Sequence, residues 1–233
     1  MQSRFVGFDQ VPTHLSEPVV VIDVLRAFTT AAWVVESGAS GLWSAPSTRD
    51  ALATKTDLGP RAIAITDRDV SGGFDLGNSP ALVRRHDLDG RPVVQTTTNG
   101  TVGVHAARHA PLILCAALVT ATATARVLAA SGAERITYVI TGDNGHAEED
   151  VACADLIQAI LTSRGIPTDT VDRVQQSRAA HGLREAVTAG LPGVDAEDIE
   201  LACEVDRFDF TLRAIDQNGL IQVQPVAAGQ TDR

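Results

Sequence analysis

Asp23 and Arg26 are the first residues in the chain whose types and spacing could do chemistry. They follow the apolar run of residues 19–22 in the stretch VVVIDVLRAFTT. A carboxylate at the end of a buried strand is costly to place without a partner. Asp23 could bind a divalent cation or act as a nucleophile, and Arg26 could bind phosphate, sulfonate or carboxylate with its planar fork. The pair predicts a site at the end of this strand.

Three more polar segments follow apolar runs: TDRD at 66–69, TTTNGT at 96–101 and TGDNG at 141–145. Because ligands bind outside the carboxyl ends of parallel strands, we expect these segments and Asp23 to converge on one crevice. TTTNGT offers hydroxyls, an amide and the N–H groups of a helix start, which suit an anion. A plain strand–turn–helix connection explains the same residues equally well.

Three successive acids, Glu148, Glu149 and Asp150, stand in the first turn of a predicted helix. Three successive acids carry more negative charge than is needed to complement the helix dipole. Together with Asp23 and Asp67 they could form an all-oxygen site suited to Mg²⁺. The alternative is that they serve only the helix end and that the functional site lies elsewhere.

The loop SGGFDLGNSP, residues 71–80, is dense in glycine and small polar residues, and Arg68 lies just before it. Loops over the carboxyl edge of a sheet commonly carry function. A surface loop without function would have a similar composition.

Strand-like and helix-like segments alternate along the chain, which predicts an α/β fold with a mostly parallel sheet and helices on both faces. Ser47 and Ser79 are predicted helix N-caps, and Pro80 suits the first position of its helix. The predicted strands are 19–22, 41–45, 61–66, 92–97, 112–117, 135–141 and 219–226, and the predicted helices are 27–37, 47–55, 79–86, 101–109, 120–131, 147–164 and 176–190. The pattern weakens after Pro167. We predict one domain over residues 1–233, with a C-terminal α+β extension or subdomain from about residue 168.

The composition of 44% hydrophobic and 21% charged residues is that of a folded globular protein. A net charge of −10 disfavours nucleic acid and anionic membranes as partners. Cys115, Cys153 and Cys203 lack metal-site spacing and predict reduced thiols. With no signal-peptide pattern and no apolar stretch of bilayer length, we expect a cytoplasmic protein.

The sequence lacks the motifs of several familiar enzyme classes. The sequence has no P-loop and no GxSxG nucleophile turn, and no Cys has an Arg six residues later, as a cysteine phosphatase requires. The haloacid-dehalogenase phosphatases use a strand that ends in Asp-x-Asp, but Leu25 occupies the second position here.

Four strings, VVVIDVLRAFTT, GGFDLGNSP, TTTNGT and GDNGHAEEDVACADLI, resemble the successive motifs of the 2-phosphosulfolactate phosphatase family in order and spacing. The resemblance covers roughly residues 19–225, and the late DIELACEVDRFDF resembles the final acidic-and-cysteine segment of that family. It implies a family-specific α/β topology and a homodimer. It also implies a Mg²⁺-dependent phosphatase acting on 2-phosphosulfolactate or a close analogue, in coenzyme M synthesis where that pathway exists.

By the resemblance, the functional residues of the family fall on Asp23, Arg26, Asn78, residues 97–100, Glu149 and Asp150. The expected catalytic residues are Asp23, Arg26, Asp67 and Glu149, the expected substrate-binding residues are Arg68, Asn78, Thr97, Thr98, Asn99 and Gly100, and the expected metal ligands are Asp23, Glu149 and Asp150.

Two positions depart from the family pattern. Asp67, Arg68 and Asp69 stand where Glu-Arg-Gly is usual, and Phe28 replaces a small hydroxyl residue. The departures motivate an alternative function, a non-catalytic protein that binds a small anionic metabolite. For the phosphatase, we expect water rather than Asp23 to attack phosphorus, because the second Asp of the aspartyl-phosphate motif is missing.

Overall fold

The computed structural model describes residues 2–227. Within that range it contains ten strands: β1 (Gln2–Gly7), β2 (Val19–Ile22), β3 (Gly41–Ser44), β4 (Ile63–Thr66), β5 (Leu76–Gly77), β6 (Pro92–Thr96), β7 (Ile113–Ala116), β8 (Arg135–Ile140), β9 (Phe210–Gln217) and β10 (Leu220–Ala227).

The same residues form nine α-helices: α1 (Ala27–Glu36), α2 (Thr48–Leu58), α3 (Pro80–Arg84), α4 (Gly100–Ala106), α5 (Ala121–Ala130), α6 (Glu148–Leu161), α7 (Thr170–Gln176), α8 (Arg178–Thr188) and α9 (Asp198–Ala202). Both predicted N-caps are confirmed. The Ser47 hydroxyl accepts the N–H of Asp50, and the Ser79 hydroxyl accepts the N–H of Leu82.

All described strands belong to one sheet, in the order β1-β8-β2-β7-β9-β10-β3-β6-β4-β5. Six of its nine ladders are parallel, which confirms the predicted α/β fold with a mostly parallel sheet. The other three ladders, β7–β9, β9–β10 and β10–β3, are antiparallel. The hairpin β9–β10 therefore joins two parallel blocks at the centre of the sheet.

Three antiparallel steps between the blocks reverse the chain direction from one block to the other. In a flat sheet the carboxyl ends of β2 and β6 would then lie at opposite edges. The polar segments were expected to converge because all their strands were taken to be parallel and to end at one edge, and that reason was wrong. The sheet curls instead, and Gly100 after β6 lies directly against Asp23 after β2. Gln95 of β6 also donates its amide Nε2–H to the carbonyl of Ala27 at 2.9 Å.

Strand β2 lies in the middle of the first block and is buried along its whole length, as its continuous apolar sequence predicts. Helix α1 follows it and is buried from Ala27 to Val34. The two elements belong to the large hydrophobic core, together with β7, β8 and the inner face of α6. The start of α1 is thereby fixed at the tip of β2.

The structure corrects several sequence expectations. β1, β5, β9, α7 and α9 had not been predicted, and the helix expected over 176–190 is observed as α8, which begins after Ser177. Ser177 has extended backbone angles, and its hydroxyl accepts the N–H of Ala180 as the N-cap of α8. The residues from 168 onward are α+β in content, and their two strands belong to the main sheet.

The three cysteines are free thiols, two of them buried and Cys203 half-buried. None of the helices between residues 2 and 227 has the length and hydrophobicity that crossing a bilayer requires.

Two helical glycines predict opposite effects of alanine. A Cβ at Gly103 in α4 would lie 2.8 Å from Val21 Cγ1 and 2.9 Å from Thr141 Cγ2, whereas one at Gly182 in α8 would meet nothing within 4 Å. We expect Gly103→Ala to lower the free energy of unfolding by about 1–3 kcal/mol through overpacking. Gly182→Ala, the matched control, is expected to raise it by about 0.4–1 kcal/mol. Urea unfolding measures both, and equal effects would contradict the packing of α4 against β2 and β8.

Candidate functional site

A cavity of about 510 Å³ opens beside the carboxyl ends of β2 and β8, a size that suits a small molecule. Its lining brings together four residues predicted from the sequence and two that were not proposed as site residues. The six are Asp23, Asn99, Glu149 and Asp150, with His146 and Arg178.

Asp23 is buried at the tip of β2 and binds the start of α1. Its Oδ1 accepts the N–H of Ala27 at 2.9 Å, and the missing side chain of Gly100 leaves room for its Oδ2. A Cβ on Gly100 would lie 2.7 Å from that oxygen. Burial raises the pKa of Asp23 to about 6, and the negative charges of Asp67 and Glu149 add to the effect.

Asp150 is also buried and joins the tips of two strands. Its Oδ1 accepts the N–H of Val24 at 2.9 Å, and its Oδ2 accepts the N–H of Gly142 at 3.1 Å. Burial raises the pKa of Asp150 well above its usual value, and the charges of Asp23 and Glu149 raise it further. Asp150 thus has a structural role in addition to its charge.

Glu149 is the third buried acid of the cavity. Burial raises the pKa of Glu149, and the nearby charges of Asp143 and Glu148 act in the same direction. The nearby hydroxyl of Ser177, the N-cap of α8, favours the charged carboxylate and so opposes the rise in its pKa.

Arg178 follows Ser177 and reaches the rim of the cavity. Its side chain is 91% exposed and has Asp143 Oδ1 at 3.7 Å from its Nη1. No local sequence signal distinguishes this arginine, because an exposed arginine at a helix start is ordinary. Its place in the cavity lining follows only from the folded structure. His146, interpreted from the sequence as a loop histidine, is exposed on the same rim.

The other predicted site residues lie outside the cavity lining. Arg26 is buried and donates from Nη1 to Asp198 Oδ2 at 2.7 Å, so this nitrogen of its guanidinium is already occupied by a protein group. Its peptide bond with Leu25 is cis. Asn78 is buried, and its Oδ1 accepts the amide of Gln95 at 2.9 Å. The side chain of Arg68 lies exposed beyond β4.

Three backbone N–H groups of the segment at 97–101 donate to protein oxygens and not to a ligand. The N–H of Thr97 donates to the hydroxyl of Thr101 at 2.8 Å, and the N–H of Thr101 donates to the hydroxyl of Thr97 at 3.0 Å. The N–H of Thr98 donates to Asp67 Oδ2 at 2.7 Å. Asn99 is the member of the segment that faces the cavity.

The protein groups of the cavity could supply only some of the ligands of a metal ion. Within residues 2–227, no group of three or more His, Cys, Asp or Glu side chains is arranged to hold a metal ion. Mg²⁺ commonly takes only one or two carboxylates and completes its shell with water and substrate phosphate. Asp23 and Glu149 fit that requirement, because both are buried acids of the cavity and neither has an ion-pair partner among the described residues.

A family model described as 2-phosphosulpholactate phosphatase matches residues 8–212. The chain belongs to this family. The match includes every predicted site residue and Arg178.

Three relatives named "Probable 2-phosphosulfolactate phosphatase" illustrate the similarity. The protein from Deinococcus radiodurans is 41% identical over 157 residues, which cover 66% of this chain and 65% of the relative. The protein from Synechococcus sp. strain RCC307 is 35% identical over 188 residues, 78% of this chain and 76% of the relative. The protein from Thermus thermophilus is 40% identical over 156 residues, 61% of either chain. The matched segments thus span about two thirds of these relatives.

Removing the charge of Glu149 is expected to lower the pKa of Asp23. The pKa of Asp23 is about 6 in part because Glu149 is negative, so Glu149→Gln makes ionisation of Asp23 easier. Carbon-13 NMR of the carboxyl groups in metal-free protein measures the titration. Glu185→Gln, which removes an exposed acid of α8, is the control and is expected to leave the Asp23 midpoint unchanged. An Asp23 midpoint that Glu149→Gln does not move would contradict the coupling.

Proposed function

We propose that this chain is a Mg²⁺-dependent phosphatase that hydrolyses 2-phosphosulfolactate, or a close phosphorylated 2-hydroxy acid, to sulfolactate and phosphate. The observation that carries the proposal is the cavity itself. In a member of this family, three buried carboxylates and one exposed arginine meet at the carboxyl ends of β2 and β8. The names of the relatives support the substrate class.

Asp23 and Glu149 are the proposed Mg²⁺ ligands. Asp150 adds negative charge, while its oxygens hold Val24 and Gly142. When bound, Mg²⁺ would offset the charge on the phosphoryl oxygens and favour attack at phosphorus. Burial and the charges of neighbouring acids raise the pKa values of all three carboxyl groups, and a cation here would stabilise their charged forms, which supports Mg²⁺ at this place.

The substrate carries a carboxylate and a sulfonate besides its phosphate. Arg178 is the proposed partner of one of these acid groups, because it is the arginine in the described lining of the cavity. Asn99 lines the same cavity and can donate its amide to a substrate oxygen. Asp67, Arg68, Asn78, Thr97, Thr98 and Gly100 are proposed to shape the neighbouring wall.

We propose water as the attacking nucleophile. The water oxygen bonds to phosphorus as the ester P–O bond breaks. The attacking water gives up one proton and the leaving oxygen takes one up, so that the products are sulfolactate and phosphate. Two features support water over Asp23. Oδ1 of Asp23 is engaged by the N–H of Ala27, and Leu25 replaces the second acid of the aspartyl-phosphate motif.

Phosphate release should depend on both Mg²⁺ and Asp23. We expect the protein to release phosphate from 2-phosphosulfolactate with Mg²⁺ and to stop in EDTA. Asp23→Asn is expected to lower kcat/KM by about 100- to 1,000-fold, as when one preorganised charged group is lost. Asp172→Asn, which removes an exposed acid of α7, is the control and should retain activity.

Each outcome of that assay has a meaning. Release that continues in EDTA would contradict the Mg²⁺ requirement. A phosphoenzyme trapped on Asp23 would contradict attack by water. No release, with a thermal shift on adding the substrate, would favour the alternative of a non-catalytic binding protein.

Replacing Arg178 should weaken binding of the substrate more than it slows the reaction. We expect Arg178→Gln to raise KM for 2-phosphosulfolactate about tenfold with kcat nearly unchanged, as for the loss of one charge-assisted hydrogen bond. The effect should shrink at high salt, because the side chain is exposed. Arg178→Lys should retain part of the affinity.

The control is Arg164→Gln, an exposed arginine after α6 that lies outside the cavity lining. Phospholactate, which lacks the sulfonate, identifies the acid group that Arg178 binds. If Arg178→Gln raises KM equally for both substrates, Arg178 binds the carboxylate or phosphate. An unchanged KM for both would contradict a role in binding.

The resemblance to the family also leads us to propose a cytoplasmic homodimer that acts in coenzyme M synthesis where that pathway exists. The three free cysteines support a reducing compartment. Light scattering of the purified protein tests the dimer.

A further inference from the structure

Asp198, at the start of α9, has no solvent exposure and accepts four hydrogen bonds. Its Oδ2 accepts Nη1–H of Arg26 at 2.7 Å and the N–H of Asp195 at 3.0 Å. Its Oδ1 accepts the hydroxyl of Ser79 at 2.5 Å and the N–H of Ala81 at 3.3 Å. One carboxylate thus holds together three segments: its own, at residues 195–198, and two that are far away in sequence.

Two of those segments carry residues of the proposed site. Arg26 follows the tip of β2, and Ser79 directly follows Asn78. The clamp segment, which we define as residues 193–198, contacts both. The carbonyl of Gly193 accepts Nη1–H of Arg26 at 3.0 Å. A Cβ on Gly77 would lie 2.1 Å from the Cα of Gly193, so the two backbones are in direct contact.

The bonds of Arg26 leave most of its guanidinium available. Among the described residues, both of its hydrogen bonds use Nη1, and neither uses Nη2 or Nε. An arginine fixed through one nitrogen can present the other two to an oxyanion as a planar fork. Its neighbours in sequence are Leu25, which lines the cavity, and Ala27, whose N–H binds Asp23.

We propose that Asp198 is a positioning residue of the phosphatase site. It holds Arg26 through Nη1 so that Nη2 and Nε point to an acid group of the substrate, and it fixes Asn78 through Ser79 and Ala81. The inference rests on the proposed function and deepens it, since it gives the buried Arg26–Asp198 pair a part in substrate binding.

The test compares Asp198→Asn with Glu197→Gln. Glu197 is the adjacent acid, is exposed and pairs with Arg84 and Arg85, so its loss disturbs the same segment away from the cavity. We expect Asp198→Asn to lower kcat/KM for 2-phosphosulfolactate about 100-fold, as for a misplaced binding group, and Glu197→Gln to change it less than twofold. Arg26→Lys, which keeps the charge but lacks the fork, should resemble Asp198→Asn.

A double variant separates positioning from a general structural effect. If Asp198 acts through Arg26, Asp198→Asn combined with Arg26→Gln should be no slower than Arg26→Gln alone. Additive losses, or wild-type activity in folded Asp198→Asn, would overturn the proposal. Should Asp198→Asn fail to fold, Ser79→Ala replaces it. We expect about a fivefold loss of kcat/KM from removing that one hydroxyl donor, and unchanged activity would overturn the proposal.

A second measurement does not need turnover. In nitrogen-15 NMR, the side-chain N–H signals of Arg26, assigned by their loss in Arg26→Lys, should be resolved and slow to exchange in the wild type. They should be averaged by rotation in Asp198→Asn or weakened in Ser79→Ala. Signals unchanged in both variants would overturn the positioning role. A wild type without phosphatase activity would instead count against the proposed function, and the NMR result would still decide whether Asp198 orders the fork.

Discussion

Three buried carboxylates, each satisfied by named donors, fix the end of β2. Asp23 accepts the first N–H of α1, Asp150 accepts the N–H of Val24, and Asp198 accepts the guanidinium of Arg26. A carboxylate buried without such donors would be too costly to keep ionised. The tip of β2 is therefore held from α1, from α6 and from α9, and the cavity takes its shape from those three attachments.

The same arrangement concentrates negative charge. Burial raises the pKa values of Asp23, Glu149 and Asp150. The charge of Glu149 adds to this effect at Asp23, the charges of Asp23 and Glu149 add to it at Asp150, and hydrogen bonds from backbone N–H groups oppose part of the rise. These three acids are buried side by side next to a cavity, although their negative charges would be better solvated on the surface. Such local instability is common where a cation or a reacting group completes the site.

The parts of the fold that could be predicted from sequence are those with a local cause. The β-branched run at 19–22, the serine N-caps and the acidic first turn of α6 each have a mechanism within a few residues. Partnerships over long distances could not be predicted. Asp198 is 172 residues from Arg26, so an arginine that looked free in sequence is paired in the structure.

β1, β9 and Arg178 were missed for physical reasons. β1 is an edge strand in which only Gly7 is buried, so its pattern lacks a buried face. β9 interrupts its apolar residues with Arg213 and Asp216, which hides its place in the centre of the sheet. Arg178 is the first residue of α8, and the strand–helix periodicity gives no sign that this helix start lines the cavity. The convergence of the polar segments was expected, but it arises from curling of the sheet and not from a single parallel edge.

The central position of β9 and β10 sets an order of events during synthesis. These strands leave the ribosome after the other eight, yet they lie between β7 and β3. Until they arrive, both parallel blocks expose a strand edge, and unpaired edges invite association with other chains. The nascent protein therefore has two unpaired strand edges until β9 and β10 are synthesised. When this hairpin pairs with β7 and β3, the sheet is complete and those edges can no longer associate with other chains.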